Sequence, residues 1–467
     1  MRRRLVAAAA AVAVVGGGAA VAVTRSKSAP GYPHQWDSRV ASIAQFVQQA
    51  RGLAWKHPVK VEFLPPARFT AAISAKSGGT SDTADAQSYM EALRAIGVVS
   101  GQPDMARAAQ TFANNDVVGL YVATDKTVYV EGDQLTPYVR VTLAHELTHA
   151  LQDQYFNLVT MRKGHADDDG AVTALIEGDA VRIQDDYERT LSAADQQLYA
   201  SEQSSTSSSA TGANTRNSVP TFYLDQATFP YDFGPTFVET LFSQGGNRLV
   251  DQAFRSPPVL DRQILDPASF VPGVPVPAVA PIPAPPGANV VNSGGFGEVT
   301  LFEMLADQLG YPTALQAVQG WTNDSSVVYR KGPTVCVDVE VRDDDAHSGA
   351  LLRAGTAWAA RIPGATVQLS GQGQSVSFHS CDPGPAWKPT QVASVDPYQY
   401  PASQSALAYQ LMTQGHLGST TASCVVSALT AALGPDRLLN AIQTNDTSSP
   451  DLTALRNDLP VVVSRCS

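Results

Sequence analysis

Two histidines four residues apart, His145 and His149, stand on either side of Glu146 in the stretch TPYVRVTLAHELTHALQDQYF, residues 136–156. If this stretch is helical, residues i and i+4 project from one face, so both imidazoles leave the same rigid turn side by side. Two neutral imidazoles so placed can fill two corners of a zinc tetrahedron. Glu146 points to one side, where it reaches a water at the metal instead of the metal itself. This is the division of labour in the H-E-x-x-H pattern. The chain has only 8 histidines in 467 residues, so a chance match is rare.

A catalytic tetrahedral zinc takes a third protein ligand and keeps one position open. The candidate is Glu177, in DDDGAVTALIEGDAVRIQDDYERTL, a second helical run opened by Asp168 or Asp169. Its neighbours Ala174, Leu175, Ile176 and Ala180 are small or apolar. A carboxylate among such residues is costly unless it meets a cation. Asp179, Asp185, Asp186 and His165 are the rivals. His165 sits in a charged loop containing glycine, a solvated setting, so Glu177 is preferred.

The helix that must carry the histidines has its own signals. Thr136 can cap it, and Pro137 follows at the first helical position, where a missing N–H costs nothing. Val139, Leu143, Leu147 and Leu151 recur at helical spacing and predict one buried stripe. Upstream, helices are expected at 37–50, 81–96 and 104–114 and a strand at 59–64. A strand pair, VVGLYV and TVYV, precedes the histidine helix around Thr124-Asp125-Lys126. Downstream, the serine- and threonine-rich 201–218 predicts a mobile loop. A helix from Phe229 to about Phe242 should end at Gly245-Gly246. Tyr231, near its start, could donate a phenol hydrogen to a developing oxyanion, although packing at a helix start is its commoner use. The proline-rich 272–286 reads as an extended linker or strap.

The pattern H-E-L-T-H-A with a glutamate on the next helix resembles the gluzincin clan of zinc metallopeptidases, to which thermolysin belongs. The longer set HALQDQYF, ALIEGDA and FPYDFG is similar to that of uncharacterised secreted bacterial proteins described as metallopeptidases. The resemblance is most specific over 136–187 and extends over about 36–270. It implies an α+β fold with a zincin-like core, a sheet packed on the active-site helix. It also implies Zn2+ held by His145, His149 and Glu177, with Glu146 as the general base, and hydrolysis of a peptide or protein substrate. In gluzincins an acidic residue four positions after the ligand glutamate often orients a ligand histidine. Here that position holds Val181, which leaves Asp153 and Asp179 as candidates for the orienting role.

Met1-Arg2-Arg3-Arg4 followed by an uncharged run from Leu5 to Val23 reads as an export signal or as a single N-terminal membrane anchor. Either places the body of the chain outside the cytoplasm, secreted or held on the outer face of the cytoplasmic membrane. The balance of 43 acidic to 32 basic residues, net −11, argues against a nucleic-acid partner. The four cysteines, Cys336, Cys381, Cys424 and Cys466, fall in the last third, and an even count in an exported chain suggests disulfides. Pairing by chain proximity gives Cys336–Cys381 and Cys424–Cys466. The expected organisation is a signal or anchor (1–30), a zincin-like domain (31–310), a small α+β subdomain (311–390) and a helical C-terminal region (391–467). His347, His379 and the acidic run 343–345 lack metal-site spacing. A reading from another class is an extracytoplasmic binding or envelope-maintenance protein whose zinc is structural or whose site is inactive. A fourth protein ligand would mark that case.

Overall fold

The computed structural model describes residues 31–77, 83–104, 117–163, 169–207, 220–274, 276, 279–344, 348–370, 375–389, 398–444 and 446–466. The expected export segment, all but the first residue of the helix expected at 104–114, His165 and His347 lie outside them. The fold is mixed α+β with two sheets. The first sheet has the order β1–β3–β2, with β1 (Lys60–Leu64) parallel to β3 (Thr127–Glu131) and β2 (Gly119–Val122) antiparallel to it. The second is antiparallel throughout, in the order β4–β5–β6–β8–β7. Its strands are β4 (Asn289–Gly294), β5 (Trp321–Lys331), β6 (Thr334–Asp343), β7 (Thr366–Ser370) and β8 (Ser375–Cys381).

The histidine helix runs Pro137–Phe156, capped by the Thr136 hydroxyl, which accepts from the Val139 N–H at 3.4 Å. One buried stripe was expected; instead every residue from Pro137 to Asp153 except Arg140 is buried. One face packs Val139, Leu143, Leu147 and Leu151 against Val128 and Val130 of the sheet and Ile43 and Val47 of the helix Ala41–Arg51. The polar face is covered in turn by the glutamate helix, Asp169–Thr190. A helix enclosed on both sides shows little amphipathic contrast, because its polar residues are buried against partners of their own.

The glutamate helix is held by a longer one, Thr221–Arg255, and the two meet more closely than side chains permit. A Cβ on Gly178 would lie 2.2 Å from the Gly234 carbonyl oxygen, and a Cβ on Gly234 2.2 Å from that of Ala174. Glycine at both positions lets the backbones touch. The long helix begins eight residues before the expected Phe229 and carries Pro230 and Pro235 inside it. The expected stop at Gly245-Gly246 is present as a kink, with Gly246 at φ 60°, after which the helix resumes.

The second sheet forms its core with Leu301, Met304, Leu305 and Trp358, and it also takes Met90, Leu93 and Ile96 from the N-terminal half. Its edge strand β4 precedes residue 311. Helices absent from the sequence reading are Pro66–Ser77, Leu158–Lys163, Ala193–Ser207, Asp261–Leu265, Tyr311–Val318 and, as a separate element, Pro450–Cys466. Ser201–Ser207 continues the helix Ala193–Ser207 instead of opening a loop, because Tyr199 anchors that helix against Tyr138 and Val141. The rest of that expected loop, 208–218, lies outside the described residues. The described part of 272–286 forms neither helix nor strand. Both disulfides follow chain proximity: Cys336–Cys381 joins register partners on β6 and β8, and Cys424–Cys466 ties two C-terminal helices. No helix among the described residues is long and apolar enough to cross a membrane.

The glycine crossing gives a direct test. Gly178→Ala must part the two helices, so denaturant melts should show a loss of about 1–3 kcal/mol or more. An unchanged midpoint would mean that this contact does not set the helix spacing.

Candidate metal centre

Three donor atoms converge where the histidine and glutamate helices cross. His145 Nε2 and His149 Nε2 lie 3.0 Å apart, and each is 3.2 Å from Glu177 Oε2. The two rings stand nearly perpendicular, at 85°, with centroids 4.6 Å apart. All three residues are buried: His145 is 1% exposed, His149 5% and Glu177 0%. Ligands about 2.0–2.1 Å from a tetrahedral zinc lie about 3.3–3.4 Å from one another, so this triangle is close to the size such an ion takes. Among the described residues no other group of three histidines, cysteines or carboxylates converges in this way.

Two further atoms bear on the fit. His145 Nδ1 and Glu177 Oε1 are buried without a hydrogen-bond partner. The nearest charge to Glu177 Oε1 outside the histidines is Arg162, at 3.8 Å. A fully buried carboxylate oxygen with so little around it is costly unless a cation sits close by. The donor set, two imidazoles and one carboxylate, is one that zinc accepts. The residues therefore fit the ion.

The electrostatics follow from burial opposed by charge. Burial disfavours the His149 imidazolium, yet the adjoining Glu177 carboxylate outweighs it and holds the group at about 9. Burial pushes Glu177 up, but the His149 charge and hydrogen bonds from both rings draw it well below the usual carboxylate range. Glu146 is raised: burial dominates over the pull of the two histidines and of one backbone N–H. That N–H belongs to Tyr121 of β2 and donates to Glu146 Oε2 at 2.6 Å. The edge strand of the first sheet thus holds the Glu146 carboxylate beside the triangle, outside the three-donor set.

No family model matches this chain, and no curated protein or solved structure matches it.

Among the described residues, the rivals Asp179, Asp185 and Asp186 are not part of the three-donor group. Asp179 forms a fully buried ion pair with Arg51 at 2.7 Å and accepts from Arg182 at 3.0 Å. Burial raises it, and the two arginines bring it back below its ordinary value. Asp186 pairs with Arg189 near the surface. Of the two candidate orienting residues, Asp153 accepts from the Tyr121 hydroxyl at 2.6 Å, Lys126 at 2.5 Å and the Leu158 N–H at 3.0 Å. It ties the strand pair to the end of the histidine helix. Asp179 reaches His149 only through Gln152. The Gln152 Oε1 lies 3.0 Å from His149 Nδ1, while its Nε2 donates to Asp179 at 3.0 Å and to the Ile176 carbonyl at 3.1 Å. Gln152 was missed in the sequence, although its position three after His149 put it on the right face. Tyr231 is buried in the long helix, three residues before the Gly234 contact with the glutamate helix.

The donor set predicts the metal content of variants. Wild-type protein should take up one zinc per chain, measured by elemental analysis after dialysis. His145→Ala, His149→Ala and Glu177→Ala should each lose it, and retention in all three would place the ion elsewhere.

Proposed function

We propose that this chain is a zinc-dependent hydrolase of peptide bonds with the ligand set of the gluzincin clan on a zincin-like core. What supports it is the convergence of His145, His149 and Glu177 on one point with the Glu146 carboxylate held beside it by a strand edge. Zinc bound there would supply Lewis acidity, bringing the pKa of water at the open position to roughly 7 and polarising the scissile carbonyl. Glu146 takes the proton from the attacking water and later delivers it to the leaving amine nitrogen. The low-dielectric surroundings of Glu146, 2% exposed, favour this exchange, since its carboxyl and carboxylate forms lie closer in energy there than in water. Strand β2, a sheet edge, would pair with an extended substrate through its backbone. Tyr231 is the proposed donor to the oxyanion.

The site of action is proposed to be outside the cytoplasm, with residues 1–30 as a cleaved signal or a single anchor. The two disulfides support an oxidising compartment. A second reading, a closed structural zinc in an extracytoplasmic binding protein, draws on the near-complete burial of the site. It requires a fourth protein ligand, and among the described residues the cluster has three.

The deciving comparison is wild type against Glu146→Gln on a peptide library, with zinc measured in both. Glu146→Gln should keep the metal and lose turnover by at least about a hundredfold, the scale of general acid–base catalysis. Undiminished cleavage would remove Glu146 from this role, and X-ray absorption showing four protein ligands would favour the structural reading.

A further inference from the structure

Gln152 is not a ligand, yet its amide is fixed more tightly than a surface glutamine would be. It is 0% exposed. Its Nε2 faces two groups that only accept, the Ile176 carbonyl and the Asp179 carboxylate. That settles which end of the amide is nitrogen, and therefore Oε1 is the atom facing His149 Nδ1. An amide oxygen cannot donate, so Nδ1 must carry the proton. With Nδ1–H committed, the lone pair of the neutral ring lies on Nε2, the atom that faces His145 and Glu177. His145 has no such device, since its Nδ1 has no partner.

Asp179 is held in turn by Arg51 and Arg182, both buried, and Arg51 also reaches Asp251 at 2.7 Å. Against the effect of burial, their positive charges hold the Asp179 carboxyl below its ordinary value, so it stays ionised and keeps its grip on the Gln152 amide. We propose that Gln152, braced by Asp179, is the positioning residue that fixes His149 in its zinc-binding tautomer. The orienting group then comes from the histidine helix itself, three residues on. The residue four after Glu177 is Val181 and can supply none. This proposal rests on the zinc reading above, and the experiment separates the two.

The test uses the full chain with Zn2+ as the probe, its affinity read by competition with a chelator of known strength. Gln152→Met keeps the length of the side chain and removes the acceptor. It should weaken zinc binding by roughly ten- to a hundredfold, the usual cost of losing a partner to a ligand histidine. Gln152→Glu combined with Asp179→Asn keeps an oxygen at Nδ1 and moves the negative charge from 179 to 152, so that no two carboxylates face each other. It should hold zinc within about fivefold of wild type, because a carboxylate serves the same orienting role. Melting of the chelator-treated proteins reports whether each variant folds. If wild type binds zinc and Gln152→Met binds it equally well, the positioning role is overturned and the metal reading stands. If both variants fold and lose zinc equally, packing and not the acceptor is at work, which also overturns it. If wild type binds no zinc, both readings fall.

Discussion

A carboxylate with no exposure to solvent has to be matched by positive charge or by donors, and Glu177 is hydrogen-bonded on one oxygen only, with Arg162 3.8 Å from the other. That requirement organises the middle of the molecule. The glutamate helix has to bring Glu177 to the imidazoles while losing its own contact with water. The glycine pair at 178 and 234 permits this by letting the long helix lie directly on its back. The histidine helix accepts the approach because its opposite face is already anchored on the three-stranded sheet and the helix Ala41–Arg51. Were the glutamate helix displaced by the width of one methyl group, Oε2 would leave the 3.2 Å range of both rings. Packing in the core sets the geometry of the polar site.

The parts legible in the sequence were those fixed by local chemistry. The Thr136 cap and Pro137 gave the start of the histidine helix, and the four-residue spacing placed both imidazoles on one face. Glu177 was legible because its neighbours are small and apolar, so its burial could be inferred. The strand pair of β2 and β3 was read from its apolar runs and turn residues. Both cysteine pairs followed from their separation along the chain, because each joins elements that are neighbours in the fold.

The rest was set by contacts far apart in the chain, which no local window carries. Arg51 falls just past the helix expected at 37–50, and nothing nearby reveals that it ends that helix buried against Asp179, 128 residues later. The helix expected from Phe229, with Pro230 and Pro235 inside it, begins eight residues earlier and resumes past Gly246, and neither extension was legible. Its face at the two prolines is held by Phe229, Phe233 and Phe237, packed with Leu175 and Ile176, and tertiary burial outweighs the lost backbone bonds. The edge strand β4 is exposed along most of its length and carries no alternating pattern, so only its pairing with β5 defines it.

The buried charges around Asp179 need an explanation other than stability. Taking Arg51, Arg182 and Asp179 out of water costs several kcal/mol per ion, and apolar residues of similar volume would often serve the core as well. What apolar side chains cannot do is impose direction. Arg51 comes from the first helix, Arg182 and Asp179 from the glutamate helix, and Asn247 from the segment just past the Gly246 kink. Asn247 donates to the Ala50 carbonyl and accepts from Arg182, so the kink closes the same ring of contacts. A hydrophobic cluster would let these three helices slide by fractions of an ångström at little cost. A ring of directional bonds does not, and a site built from atoms 3.0–3.2 Å apart has no tolerance for sliding. The network acts as a frame that keeps the helices in register, on the side of the site where Gln152 joins Asp179 to His149.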